Sequence, residues 1–320
     1  MRQARILVTA WLVTACASVA TAALASPPVA SDGSDEPADL DTAKTDAPTR
    51  KSLALSAAAT GGTYLLLYGW VSLAWYVRTE DSASFHFHEE GWFGRDTYAG
   101  GADKLGHTWG NYVMTRGVSQ ILQHGGWPRR GSILASGGLA LSFFTFSEVK
   151  DGYKEKYGFS MGDELCDLIG VVGGMVFEMY PELDRRLDFR ISYLPSSAYR
   201  ARLETDGPFN SPEDYSGQTM LLAYHLGSID ALAQRASWTR YVDVSLGYQT
   251  RGYLPKIENA ERSQELFVGA SLNLQGVLDR VIHGRGAGVA HFVTEMYQVP
   301  YTTLPLGQLD RTSPPVMTTP

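Results

Sequence analysis

Residues 53–77 read LALSAAATGGTYLLLYGWVSLAWYV, an apolar run without a single charge. As a helix rising about 1.5 Å per residue, it is long enough to cross the roughly 30 Å hydrocarbon layer of a bilayer. Three weaker apolar stretches follow, at 108–123, 132–147 and 162–180, all rich in Gly, Ala and Ser. Small residues on a helix face let two backbones approach closely, which suits a membrane bundle or a tight soluble one. Arg116, Glu164, Asp167 and Glu178 fall in the later stretches and count against lipid-facing spans. Both forms stay open, and the expectation is a bundle of about four helices over residues 51–183.

The pattern changes after Pro181. Residues 188–194, 241–249 (YVDVSLGYQ) and 264–274 (QELFVGASLNL) alternate apolar with polar side chains, as half-buried strands do. Between them, 218–235 (QTMLLAYHLGSIDALAQR) reads as an amphipathic helix interrupted at Gly227. The fold class expected is therefore α+β: a central helical bundle followed by a small β-rich region over 184–299. Residues 300–320, with their prolines and threonines, read as a disordered tail or surface arm.

Upstream of the bundle, residues 1–25 have two arginines, a short apolar core and the small-residue site Ala23-Leu24-Ala25. That is the pattern of a secretory signal peptide, too brief to span. Within it, Val13-Thr14-Ala15-Cys16 resembles a lipobox. Two fates remain open: cleavage after Ala25, or a signal ending at Ala15 with a lipidated Cys16 tethering the chain to a bilayer. Residues 26–50 hold Pro, Ala, Ser, Asp, Glu and Thr with almost no large apolar side chain, the composition of a disordered tether.

Of the two cysteines, Cys166 is the other, so no internal disulfide is expected once Cys16 is lost or lipidated, and Cys166 reads as a buried core thiol. The formal charge is -7, with pI near 5.5 and no basic run, which argues against a nucleic-acid partner. The partners expected are a bacterial envelope membrane and a lipid or envelope protein.

Chemistry concentrates in two motifs. In ADKLGHTWGNY (102–112), which follows the Gly-rich YAGGA, Asp103 and His107 are four apart and share one helix face beside Lys104. A structural account exists: an aspartate favoured by the helix dipole and an i,i+4 hydrogen bond to the histidine. In FSEVKDGYKEKYGFSMGDELCDLIG (146–170), Glu148 and Asp151 end one helix, while Asp163 and Asp167 lie one turn apart at the start of the next. Ser160 and Asp163 fit a capping box. Capping does not account for Glu148, which follows the apolar LALSFFTFS and needs a partner there, with Lys104 or His107 the candidates.

The order DKxGH, E-x-x-DG, YGFSxGD and then a Gly-rich apolar helix resembles the bacterial family of predicted periplasmic lipoproteins called domain of unknown function 2279, the YfiM-like proteins. The resemblance extends into PSSAYRA and DYSGQT, so it covers roughly residues 65–250. It implies export and the periplasm without implying an activity. More distantly, the order is similar to VanZ-like membrane proteins, which place Asn about where this chain has Asp167. That departure weakens any transfer of a role to Asp167.

Upstream, FHFHEEGW offers His86, His88, Glu89 and Glu90. An H-x-H can bind zinc when further ligands exist, but no second spaced pair follows, and exposed loop polarity accounts for it. No GxSxG, P-loop, HExxH or GxGxxG motif stands in a suitable context. No metal-ligand set and no cofactor is assigned. Two readings remain. The first is a membrane-docked bundle whose charged cluster ties helix ends together while the sheet offers a partner surface. The second is an enzyme in which Asp103, Lys104, His107, Glu148, Asp151 and Asp163 supply acid/base or metal chemistry on a lipid or cell-wall precursor. A His107–Glu148 pair meeting in an open pocket favours the second; a sealed cluster favours the first.

Overall fold

The structure, a computed structural model, describes residues 48–312 except 78, 89, 207, 255–260, 279–280 and 282–286. The expected signal segment, Cys16, the tether up to residue 47 and residues 313–320 lie outside the described residues.

Four long helices come first: α1 (Arg50–Val71), α2 (Ala102–His124), α3 (Arg129–Asp151) and α4 (Met161–Met179). Thr49 caps α1 by accepting from the Ser52 amide, and Ser160 caps α4 by accepting from that of Asp163 at 3.2 Å. The 53–77 run is not one unbroken α-helix, because its hydrogen bonding passes into a π-turn over Ser72–Tyr76. Among the described helices, α3 alone is long and apolar enough to cross a membrane by length and composition.

Helix α2 touches each of the other three. Its approach to α4 depends on missing side chains. A Cβ on Gly170 would stand 2.2 Å from the Thr108 carbonyl oxygen, and one on Gly174 would stand 2.9 Å from that of Tyr112. The core between the helices holds Tyr64, Met114, Val118, Leu122, Phe143 and Val171, with Tyr64 edge-on to Phe143. Each such side chain contributes roughly 1.5–3 kcal/mol by leaving water.

After α4 the chain builds one antiparallel sheet in the order β1-β2-β3-β4-β5: β1 (Leu187–Tyr193), β2 (Gln218–His225), β3 (Val242–Arg251), β4 (Ser263–Leu272) and β5 (Thr303–Thr312). Helix α5 (Ser197–Asp206) lies between β1 and β2, and α6 (Ala287–Met296) packs on β1. The α+β class holds. Two local expectations do not. Residues 218–225 form a central strand, paired with β1 on one side and β3 on the other, and helix is confined to a 3-10 turn at Leu226–Ser228 and one short α-helix at Asp230–Arg235. Residues 303–312 are a paired edge strand rather than disordered, with register shifts opposite Leu266/Phe267 and Val268/Gly269. Cys166 is buried and free.

The sheet is unusual in what it hides. Asp188, Arg190, Asp243, Ser245 and Ser271 face inward and are buried, whereas Leu222, Val244, Leu246 and Leu272 alternate with them and are exposed. Arg190 bonds Asp188 and Asp243 at once, and His225 lies between the same two carboxylates. A second buried cation, Arg116 on α2, pairs with Glu178, Asp184 and Glu295, tying α2 and α4 to α6.

Candidate functional site

The site forms where the start of α2, the end of α3 and the start of α4 converge. Gly100 and Gly101, with φ of 65° and 90°, turn the chain into α2 under Tyr253 and Phe93, leaving no room for a Cβ at either position. That turn delivers Asp103 and Lys104 to the interior. The Lys104 ammonium, 3% exposed, donates to Asp163 Oδ1 at 2.6 Å and to Asp103 Oδ2 and Glu90 Oε2 at 3.1 Å each. Asp103 Oδ1 accepts from the Tyr215 hydroxyl, brought in by the segment before β2.

His107 lies one turn further along α2. Its Nδ1 bonds Asp167 Oδ1 at 2.9 Å, and that same oxygen accepts from Asn111 Nδ2 at 2.6 Å. The opposite nitrogen, Nε2, stands 3.9 Å from Glu148 Oε1 and 4.0 Å from Asp103 Oδ1. The expected i,i+4 hydrogen bond from Asp103 to His107 is therefore replaced by a bond from α4. Glu148 finds its partners in the Ser160 amide at 3.1 Å and the facing imidazole, not in Lys104. Asp151, three residues beyond Glu148, reaches the same space but bonds the Tyr76 hydroxyl instead of joining the ion pairs.

Packing so many carboxyls together displaces their protonation. Burial, then the charges of Asp103 and Asp163, push Glu90 up to about 9. Burial likewise lifts Glu148 well above the carboxylate range, lifts Asp163, and pushes Asp151 up to about 7. Asp103 goes the other way: burial opposes its charge, but His107, Lys104 and the Tyr215 bond hold it well below the usual range. Burial also works against the His107 imidazolium, yet Asp167 and Asp163 outweigh it and hold the ring well above its ordinary value.

These groups are not sealed. Most of them line a cavity of about 760 Å³. Its lining joins the polar His107, Glu148, Asp151 and Asp163 to the apolar Leu67, Trp70, Val113, Met114, Phe143 and Phe144, the last of these edge-on to His107. The structure thus brings together Asp103, Lys104, His107, Glu148 and Asp163, with Asp151 on the same cavity. The motifs did not assign Asp167, Asn111, Tyr215 or Glu90 to this site. Tyr215 sits in DYSGQT and Glu90 in FHFHEEGW, so the segments were visible but their destination was not. His86 of that second segment bonds the Tyr157 carbonyl oxygen and its backbone pairs with the Gly152 carbonyl, a structural role. Glu89 lies outside the described residues.

Fold and site define an α+β protein whose helices hold a buried acid–imidazole cluster on a largely apolar cavity. The family described as predicted periplasmic lipoprotein, domain of unknown function 2279, matches residues 89–179. The match spans Glu90, the DKxGH helix, Glu148 and the whole of α4, and stops short of PSSAYRA and DYSGQT. By that description the protein is an exported, periplasmic protein of the envelope. No curated protein and no solved structure matches the chain.

Proposed function

We propose that the protein binds an amphiphile at the surface of an envelope membrane, the polar head lying against His107, Glu148 and Asp151 and the hydrocarbon along the apolar wall. The observation that carries this reading is the mixed lining of one cavity, a carboxyl–imidazole cluster together with an extensive apolar wall. A soluble ion has no use for Trp70, Met114 and Phe143, and a hydrocarbon alone has none for a carboxyl–imidazole cluster. A lipid or lipid-linked cell-wall precursor has both parts.

The outer surface supports a lipid neighbour. Leu165, Leu168, Ile169 and Val172 form an exposed stripe on α4 at i, i+3, i+4 and i+7. The outer face of the sheet presents Leu222, Val244, Leu246 and Leu272, with exposed Trp238 and Tyr301 adjoining the ends of β3 and β5, a pattern that lipid-facing sheets share. The test is mass spectrometry of lipids extracted from the full chain purified in mild detergent. The wild type should carry one lipid class in stoichiometric amount, and Val113→Trp, which fills the groove, should not. Equal amounts in both would overturn the reading.

An acid–base reaction on that head is a second reading, favoured by the Asp167–His107 pair. The carboxylate orients the ring so that Nε2 faces the cavity, as a catalytic imidazole requires. His107→Gln should then keep the lipid while losing its conversion, read by incubating the purified chain with lipid-linked substrates.

A further inference from the structure

We infer that the mouth of this cluster is a binding site for one divalent transition-metal ion, held by His107 Nε2, Asp103 and Asp163, with Glu148 beside the ring as the acceptor that completes the set on binding. The inference rests on the cluster's own geometry and stands whether or not an amphiphile occupies the groove.

The first observation is direction. His107 Nδ1 is committed to Asp167, which Asn111 fixes in turn, so Nε2 is left facing Asp103 and Glu148 with no hydrogen-bond partner among the described residues. A carboxylate behind a histidine is the outer layer that metal-binding imidazoles have, since it fixes the tautomer and makes the ring a better donor. The second is spacing. Glu148 Oε1 and Asp103 Oδ1 stand 3.9 and 4.0 Å from Nε2, and ligand atoms of Asp103, His107 and Asp163 all lie within 4.8 Å of one another. Ligands at the tetrahedral angle around an ion with bonds of about 2.1 Å are separated by roughly 3.4 Å, so an ion draws these groups inward by about half an ångström.

The third observation is an orphan. Glu148 is 4% exposed, and although its Oε2 accepts from Ser160, its Oε1 makes no hydrogen bond among the described residues and lines the cavity. Behind the imidazole, Asp167 Oδ2 and Asn111 Oδ1 are buried acceptors without a donor among the described residues. Lys104 does not meet this shortage. It is spent on Asp103 Oδ2, Asp163 Oδ1 and Glu90 Oε2, while Asp103 Oδ1, which accepts from the Tyr215 hydroxyl, stands 4.0 Å from His107 Nε2. An acceptor-rich pocket with one imidazole and several carboxylates suits Zn²⁺ or Mn²⁺ better than a thiolate-loving or an all-oxygen ion.

The test uses the full chain, stripped with a chelator, dialysed and titrated with Mn²⁺ alone. One ion should bind per chain, with a nitrogen coupling from His107 in its electron-spin resonance. His107→Gln and Glu148→Gln should each weaken uptake by tenfold or more, and Asp167→Asn, which leaves the direct ligands intact, should weaken it less. Thermal melts of the same variants separate lost binding from lost folding. No uptake, uptake indifferent to His107 and Glu148, or uptake abolished instead by changing His86 and His88 would each overturn the inference. None of these outcomes bears on whether lipid is retained.

Discussion

Gly170 faces Thr108 so closely that a Cβ would stand 2.2 Å from the Thr108 carbonyl oxygen, and this contact sets His107 against Asp167. The bond between the two helices depends on a missing methyl group. Gly170→Ala should cost about 1–3 kcal/mol through overpacking and lower the melting temperature. Gly138→Ala, on an exposed face of α3 with nothing within 4 Å, should raise stability by up to ~1 kcal/mol. Calorimetry of the pair checks both signs.

Lys104→Met removes the cation that Glu90, Asp103 and Asp163 share while roughly preserving volume. Breaking one side of a buried ion cluster strands the other, at a cost of about 3–5 kcal/mol. Denaturant unfolding should show a large fall in midpoint. A change below 1 kcal/mol would mean the three carboxyls take up protons without penalty.

Much of this was legible in the residues. The strands β1, β3 and β4 follow from strict alternation, and α4 from its Ser160 cap and Gly-rich face. Asp103, Lys104, His107, Glu148 and Asp163 stood out because charges inside apolar helices demand partners. What failed did so for tertiary reasons. MLLAY in β2 carries no period that separates helix from strand, and pairing on both sides decides it. In β5, Pro305 and Gly307 look like loop residues, but an edge strand tolerates a proline because one side needs no amide donor. Tyr215 bonds Asp103 across 112 positions, and no local pattern reports such a contact.

Glu148 separates two roles that one substitution would confuse. Glu148→Ala leaves the buried Ser160 amide without its acceptor, and should cost about 1–3 kcal/mol. Glu148→Gln keeps a carbonyl oxygen there and should melt within about 1 kcal/mol of the wild type while losing whatever the ionisable carboxyl does at the cavity. If both variants unfold alike, the side chain is structural and the site reading loses its central residue.

The sheet interior supplies a pH dependence of its own. His225 bonds Asp243 through Nδ1 at 2.8 Å and lies 3.2 Å from Asp188 through Nε2, and Arg190 bonds the same two carboxylates. Two carboxylates and one guanidinium leave a net negative charge that only a protonated imidazole cancels. Burial opposes that proton, but the bonds and charges of Asp188 and Asp243 prevail and raise His225 to about 9. The folded state therefore holds the proton more tightly than the unfolded chain, whose histidine titrates near 6.5. The stabilisation, on the order of 3 kcal/mol, is complete below about pH 6.5 and is lost as pH rises toward 9. Melting temperature should fall across that window, and in His225→Gln the part of the slope due to this group should vanish, leaving a variant less stable at pH 6 and closer to the wild type at pH 9. An unchanged slope in the variant would place the proton elsewhere, with Glu295, raised to about 9 by burial beside Arg116 and Asp184, the next group to change.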